Sequence, residues 1–544
     1  MGRKEKILGE RIVNEETIDK RKIGYYSTPD FVCSYIARKV IKINNKGKSV
    51  FDPCCGREEM LFPFNNFNVR TYGVDIIKYK EKYNCSFENR DFIELYCSYI
   101  NKNGDLNVGN RDSFKPNNNG KLNYDYYVLN PPYNCHEVEY IKYNKKNLKR
   151  YFNEVGIHNM YGMFISAIID LAKEGAIMGI ITSDSFFTSK SYTGFRKKIL
   201  RTCTIHEITM CPTDLFLDEG ADVRTSILIL QKGTNFQGNI TVNNRCSNKE
   251  ELIKLLSLGG DKQDSISQNK ESLIKVNNEY SIKDIILNGE EDNNEFVIEC
   301  PGEIKALFNN NRLSEKFKCI TGISTGNDKL YLSKEMKDPY TIPFYKNPGK
   351  DRFYTDRIMY INKNFMNISK EVPNFMVRNK DLVYKSGIVC SSMGVQFSAS
   401  RLPKDSTFGV NSCIICNDED VFWLLAYLNS TLVTYLVRGV LIRSNMITSG
   451  YVSRIPLLNF DNETREKLRG LGKMAYEIAR KKVEDHCLEY VESKENEYAK
   501  KLIFKRDINK VLLKIDNIIN NYANLCEENI LYINKFKSDL VRRT

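Results

Sequence analysis

Two consecutive prolines behind a run of β-formers constrain this chain more than any other stretch. Tyr126, Tyr127, Val128 and Leu129 favour a buried strand. Pro131 and Pro132 end it, because neither can donate to a sheet ladder and each pushes the residue before it to extended geometry. The strand therefore stops at a stiff, non-helical turn carrying a carboxamide, Asn130, and an aromatic ring, Tyr133. Rigid turns at the carboxyl ends of strands are where open α/β sheets hold ligands. An amide supplies a donor and an acceptor and a ring supplies a stacking face, which together suit a planar heterocycle with an exocyclic amine. The plainer alternative is a strand-ending loop that carries these residues without using them.

Composition sets the frame. A chain of 544 residues is too long for one core and predicts about two to four domains. Hydrophobic content of 42% and charged content of 27% are those of a soluble globular protein. The net charge of +13 favours a polyanionic partner, although a Lys-rich proteome would produce the same excess. The 16 cysteines show no repeated spacing and no signal peptide is read before Arg11, so a reducing cytoplasm is expected. The Cys-x-x-Cys pair Cys413 and Cys416 sits in an apolar run without a second pair, which predicts a core strand and no zinc. With four histidines in the chain, no metal site is expected. The longest apolar region, Val421 to Ile442, is broken by Asn429, Ser430 and Arg438; it predicts a buried helix or helix pair and no membrane span.

Taken in order, residues 1–22 are charged and read as an N-terminal arm. In Tyr26-Ser27-Thr28-Pro29-Asp30, Thr28 suits an N-cap, Pro29 the first helical position and Asp30 the positive helix end. The free amides there would hold a carboxylate, and ordinary capping explains the same residues. Phe31, Tyr35, Ile36 and Val40 give the helix an apolar stripe. A strand from Ser49 then runs into Asp52-Pro53-Cys54-Cys55-Gly56, where Gly56 allows close backbone approach. A second acidic turn, Asp75-Ile76, follows roughly 20 residues later, the spacing of a ribose-hydroxyl reader in nucleoside-binding α/β folds. A third strand, Cys85 to Asn89, leads into Asp91-Phe92, and a similar string recurs at Asp112-Ser113-Phe114; one of the two is expected to be structural. Single aspartates are common in surface turns. Four polar strand ends in succession, counting Asn130, point to a nucleoside site.

The order Tyr-Ser-Thr-Pro, Asp-Pro-x-Cys-Gly, Gly-Val-Asp, Asp-Phe, Asn-Pro-Pro-Tyr resembles the gamma class of N6-adenine DNA methyltransferases of restriction–modification systems, over residues 20–235. The resemblance implies an α/β, Rossmann-like, S-adenosyl-L-methionine-dependent domain with a mixed, mostly parallel sheet, followed by an α+β target-recognition domain and a helical C-terminal region. It implies that Asn130, Pro131, Pro132 and Tyr133 form the catalytic turn, and that Tyr26, Thr28, Asp52, Cys55, Gly56, Asp75, Ile76, Asp91, Phe92 and Asn130 line the cofactor pocket. Thr28 would contact the methionine carboxylate, Asp52 the ammonium region, Asp75 the ribose and Asp91 the adenine amine, with Phe92 on the ring. Tyr133 would stack on a flipped adenine and Phe216 on its other face, although a core phenylalanine explains Phe216 equally. One departure stands out: Glu58 replaces the family's second glycine, which could restrict the cofactor loop.

Beyond Tyr133, Lys142, Lys145, Lys146, Lys149 and Arg150, interleaved with tyrosines, read either as a DNA-backbone loop or as a solvated Lys-rich one. The expected domains are 1–240, a connector at 241–295, target recognition at 296–460, and helices at 461–544. Around Gly322 and Gly326 the loop lacks a Gly-Lys-Ser/Thr ending, so it is no P-loop. An N6 lone pair is delocalised into the ring and is a poor nucleophile; the Asn130 side-chain oxygen and the Pro131 carbonyl would take the two amine hydrogens and draw the nitrogen toward tetrahedral geometry. The Cys54 thiol sits where the cofactor belongs, which argues against a cytosine-C5 mechanism. Double-stranded DNA is the expected partner, with a cognate restriction endonuclease or specificity partner. The alternatives are a DNA-binding modification subunit that needs a partner for activity, or methylation of RNA or a protein glutamine.

Overall fold

The apolar run before the two prolines is a strand in the computed structural model, flanked on both sides within a nine-stranded sheet. The structure describes residues 26–101, 121–133, 139–218, 223–234, 238–257, 278–287, 293–393, 396–442, 446–488 and 494–542, the backbone alone at 278, 482–488, 494–506 and 537–542. The N-terminal arm, the Asp112 string, residues 258–277 of the expected connector and Ser444 lie outside them. The chain divides into two units, Met1–Glu299 and Cys300–Thr544.

In the first unit, helix α1 (Asp30–Ile43) precedes β1 (Ser49–Asp52), β2 (Arg70–Asp75) and β3 (Ser86–Asn89). Helix α2 (Phe92–Asn101), β4 (Tyr126–Leu129), α3 (Glu139–Tyr151), α4 (Met160–Leu171) and β5 (Ile177–Ser183) follow. Then come α5 (Thr193–Thr202), β6 (Cys203–Met210), β7 (Thr225–Lys232), β8 (Ile240–Asn243), α6 (Lys249–Ser257) and β9 (Asn278–Tyr280). The strand order is β3-β2-β1-β4-β5-β7-β6-β8-β9. The five strands from β3 to β5 are parallel, and β7 is antiparallel to both β5 and β6. The sheet is therefore mixed and mostly parallel in its first half. The order in which strands are added reverses between β1 and β4, and such a topological switch is where the carboxyl ends of strands open a crevice.

Both faces of the sheet are covered, and β4 and most of β5 are accordingly apolar. Alternation divides the side chains. Val50, Tyr126 and Val128 pack with α1 and α6, whereas Phe51, Tyr127 and Leu129 pack with α2, α4 and α5. Helix α1 lies so close to β5 that a Cβ on Gly179 would fall 2.3 Å from Ile36 Cγ2, which excludes any larger residue there. β8 pairs in parallel with β6, so the first unit's sheet runs past residue 240, where a connector was expected to begin. Arg245 ties the following segment back through an ion pair to the buried Asp184.

The second unit has two four-stranded sheets. One joins Lys318–Ile320, Cys413–Ile415, Gly387–Cys390 and Ala399–Leu402, all antiparallel; the other joins Leu332–Ser333, Ile358–Asn362, Tyr340–Tyr345 and Thr407–Phe408. Cys413 thus lies on a core strand, and among the described residues no cluster of His, Cys, Asp and Glu could hold a metal ion. The apolar region near residue 430 forms helix Asp418–Leu428 and helix Thr431–Tyr435, the latter continuing as a π-helix over Leu436–Leu441, with a 68° bend between the two arms. Asn429 sits at the bend and is 1% exposed. Its carboxamide accepts from the Ala399 amide at 3.1 Å and donates at 2.9 Å to the Ala399 carbonyl, which also takes the Phe353 amide at 2.8 Å. Among the described residues no single helix is long and apolar enough to cross a membrane. The helices Asn462–Leu488 and Lys494–Tyr522 belong to this same unit: Tyr476 meets Phe422 edge-on, and Asp516 accepts from the Thr431 amide and hydroxyl at 2.7 Å.

Candidate functional site

The polar strand ends converge at the β1/β4 switch. Asp52, 1% exposed at the end of β1, accepts from the Cys54 amide at 2.9 Å, and the Cys54 thiol in turn reaches the Asn130 carbonyl at 3.6 Å. The turns after β1 and β4 are thereby tied together. Gly56 (φ +53°) turns its amide onto Asp75 Oδ2 at 2.9 Å, and Asp75 Oδ1 accepts from the Ile77 amide at 2.9 Å. Burial pushes the Asp52 carboxyl well up, with Asp75 and Glu59 adding to the rise against the Cys54 amide. Burial likewise pushes Asp75 up to about 6, although hydrogen bonds from the Ile77 and Gly56 amides pull it down. Two buried carboxyl groups next to a third, Glu59, make surroundings that favour positive charge and hydroxyl donors. Ile76 beside them is 43% exposed and offers apolar surface.

Glu58 takes a left-handed backbone, φ +73°, the conformation for which glycine is the usual residue. Its side chain is 3% exposed and points away from the turn. It pairs with Lys80 Nζ at 2.5 Å and accepts from the amides of Asn84 at 2.8 Å and Cys85 at 2.6 Å. Burial pushes this carboxyl up, but the bonds from Lys80 and Cys85 outweigh it and hold it below the ordinary range. The cost of a left-handed non-glycine residue is about 1–2 kcal/mol, and charge-assisted hydrogen bonds of this kind are strong enough to offset it. Glu58 thus holds the left-handed backbone that a glycine would adopt at this position.

Asn130 is held on three sides. Its Nδ2 donates to the Tyr26 carbonyl and to Thr28 Oγ1, both at 2.9 Å, and its Oδ1 accepts from the Tyr133 hydroxyl at 2.7 Å. That hydroxyl also lies 3.2 Å from the Ile181 carbonyl. Burial pushes the Tyr133 hydroxyl well above its ordinary value, so it stays a donor. Pro131 is buried and Pro132 half-buried. The Tyr133 ring lies 6.4 Å from those of both Tyr26 and Tyr161. Thr28 does not cap α1 as the sequence predicted: the helix starts at Asp30 with Pro29 as its N-cap and no side-chain cap, and the Thr28 hydroxyl is turned to Asn130.

Other expected residues lie elsewhere. Phe92, 2% exposed, packs into the core against Phe51 and Phe164, because it is the first residue of α2 and faces the sheet. Phe216, 1% exposed, packs with Leu215 and Ile227 in the core on the α1 face; its neighbour Leu217 is the exposed one. Both rings are structural in this conformation. Asp91 caps α2, accepting from the Ile93 amide at 2.8 Å, while its other oxygen accepts from the Tyr140 hydroxyl at 2.7 Å. Sequence reasoning grouped Tyr140 with the basic, aromatic stretch after Tyr133 and missed its contact with Asp91. That segment is the helix α3 and no loop: Ile141 and Leu148 face inward, and Lys142, Lys145, Lys146, Lys149 and Arg150 are exposed with Tyr143. Cys55 is buried in the α1-side core. The Cys54 thiol is pushed well up by burial, with Asp52 and Asp75 adding to the rise, so it is not a thiolate nucleophile near neutral pH.

A family model described as N-6 DNA Methylase matches residues 10–296. Among solved structures, the DrdV–DNA complex is similar over 85% of this chain, with a TM-score of 0.51 and 10% identity. The ATP-dependent type ISP restriction–modification enzyme LlaBIII bound to DNA is similar over 83%, with a TM-score of 0.50 and 11% identity. At such identity these likenesses speak to the fold. The chain spans 58% of the first and 39% of the second.

Proposed function

Because the chain belongs to the N-6 DNA methylase family, we propose that it transfers a methyl group from S-adenosyl-L-methionine to the N6 amine of an adenine flipped out of double-stranded DNA. The observation that carries this reading is the meeting, at one topological switch, of two buried carboxylates with an amide of fixed orientation. The residues fit the cofactor: an ammonium group beside Asp52 would favour the ionised form that burial opposes, Asp75 retains lone pairs for ribose hydroxyls, and Ile76 offers a face to an adenine ring. A carboxylate has about four acceptor positions, so Asp91 can take an adenine amine while it caps α2. When bound, S-adenosylmethionine supplies an electrophilic methyl on a positively charged sulfur.

The chain's own groups act on the acceptor. Asn130 Oδ1 and the Pro131 carbonyl take the two amine hydrogens and draw the nitrogen out of the ring plane, freeing its lone pair for in-line attack. Oδ1 also accepts from the Tyr133 hydroxyl, so the incoming amine competes with that hydroxyl for the oxygen while the ring stacks on the base. Stacking offsets part of the few kcal/mol of unstacking. The exposed cations of α3 contact the DNA backbone, and the second unit selects the target sequence. The protein serves in the cytoplasm as the modification part of a restriction–modification or related system, working with a cognate endonuclease or specificity partner.

The test is incubation of the full chain with labelled cofactor and unmethylated genomic DNA, followed by single-molecule sequencing. N6-methyladenine in a defined sequence is expected, and its absence overturns the reading. DNA affinity should fall steeply with salt, by a log–log slope of roughly −4 if about five phosphates are contacted. A flat response removes α3 from the interface.

A further inference from the structure

We propose that Thr28 is a positioning residue for methyl transfer, locking the Asn130 carboxamide so that its oxygen alone faces the acceptor amine. The inference rests on the methyltransferase reading and deepens it. A carboxamide works as an acceptor only in one of its two flip states; reversed, it would set its own NH2 against the amine of the base. The Tyr26 carbonyl can only accept, so the nitrogen of Asn130 faces it at 2.9 Å, and the second N–H is taken by Thr28 Oγ1 at 2.9 Å. With both donors spent, Oδ1 is forced to the opposite side, and donation at both N–H groups polarises the amide toward its oxygen. Removing the Thr28 acceptor would leave one N–H unmatched beside a residue that is 4% exposed, and the amide would gain a reason to turn.

Thr28 is well placed to act this way. Ser27 before it is hydrogen-bonded to Glu59 at 3.2 Å, and Pro29 after it accepts the first amides of α1, so the threonine is fixed on both sides. Since α1 takes no side-chain cap, capping does not account for the hydroxyl. The contact spans the chain from residue 28 to residue 130, so the segment before α1 sets the state of the turn after β4. Serving the cofactor's carboxylate would draw on the proton of this hydroxyl, whereas the lock on Asn130 draws on a lone pair, so the two roles make different predictions.

The experiment compares full-length wild type, Thr28→Val, Thr28→Ser and Asn130→Ala. Three quantities are read: the single-turnover rate of transfer to unmethylated duplex DNA, the calorimetric Kd for S-adenosylhomocysteine, and the side-chain amide NMR signals of Asn130. Those signals come from isotope-labelled asparagine and are assigned by their loss in Asn130→Ala. Thr28→Val should slow transfer about 10- to 100-fold, the scale of a misplaced reacting group. It should also shift the Asn130 amide pair, with Kd changing by less than about threefold, and Thr28→Ser should restore both. A parallel loss of cofactor affinity would assign the hydroxyl to the cofactor. An unchanged rate, an unmoved amide pair, or a serine variant that behaves like valine would also overturn the proposal. A wild type that methylates no DNA would instead sink the methyltransferase reading, and the amide signals would still report on the lock.

Discussion

The two sides of the site are made from opposite kinds of group. On the β1–β2 side stand carboxylates, Asp52 and Asp75, whose charge depends on pH and whose burial works against ionisation. On the β4 side stands an amide, Asn130, which has no titration near neutrality and whose value depends on orientation. On the proposed function, the difference separates the holding of a charged cofactor from the activation of a neutral acceptor within one site. Charge would serve the cationic ligand, and geometry the ligand whose own lone pair has to be redirected.

The largest test of that separation is Asn130→Ala. Transfer should fall by at least roughly 10²–10³-fold, the scale seen when a group that stabilises the reacting atoms is removed, while S-adenosylhomocysteine binding by calorimetry stays within a few-fold. Equal loss of both would join the two sides into one. Next, Asp75→Asn sets an amide nitrogen against the Gly56 or the Ile77 N–H. Loss of a charged acceptor predicts cofactor binding weakened about 10- to 100-fold, with the rate at saturating cofactor little changed.

The same side carries the pH dependence. Asp75 rises from its ordinary 3.8 to about 6 in the folded protein, so the stability linked to its protonated form is complete below 3.8 and is lost as pH climbs through 6. A ligand that needs the ionised carboxylate binds more tightly over that window. The melting-temperature gain from S-adenosylhomocysteine should therefore grow between pH 5 and pH 7, a range chosen as roughly one unit either side of that value. Asp75→Asn should flatten the profile. The smallest effect is expected for Tyr133→Phe, which keeps the ring and removes the hydroxyl that occupies Oδ1. Its transfer rate should stay within roughly fivefold of wild type, the cost or gain of one neutral hydrogen bond. A loss as large as that of Asn130→Ala would mean the hydroxyl acts in the reaction.

Much of the frame was legible from residues. The buried strand before Pro131, the acidic strand ends and the apolar stripe of α1 follow from local rules and emerge within a few residues of their expected limits. What escaped was non-local. Residues 241–243 read as connector together with the Asn-, Lys- and Ser-rich stretch that follows them, and their pairing with β6 is what makes them a strand. Helix α3 buries just Ile141 and Leu148, too few for a periodic signal. Phe92, on α2, and Phe216, in the turn before β7, differ from surface aromatics only in the direction they face, and neighbouring residues do not reveal that. In Thr28 the type was informative and the partner was not, since that partner lies a hundred residues on.

The left-handed Glu58 has a last consequence. A glycine at this point would leave the loop after β2 to fold by itself, whereas the glutamate fastens the amides of Asn84 and Cys85 to the turn after β1. Tyr83 adds to the fastening through its hydroxyl on the Gly56 carbonyl. The two loops thus share a single opening event. In native-state hydrogen exchange, the amides of Gly56, Asn84 and Cys85 should exchange with one common protection factor, as parts of one cooperative unit.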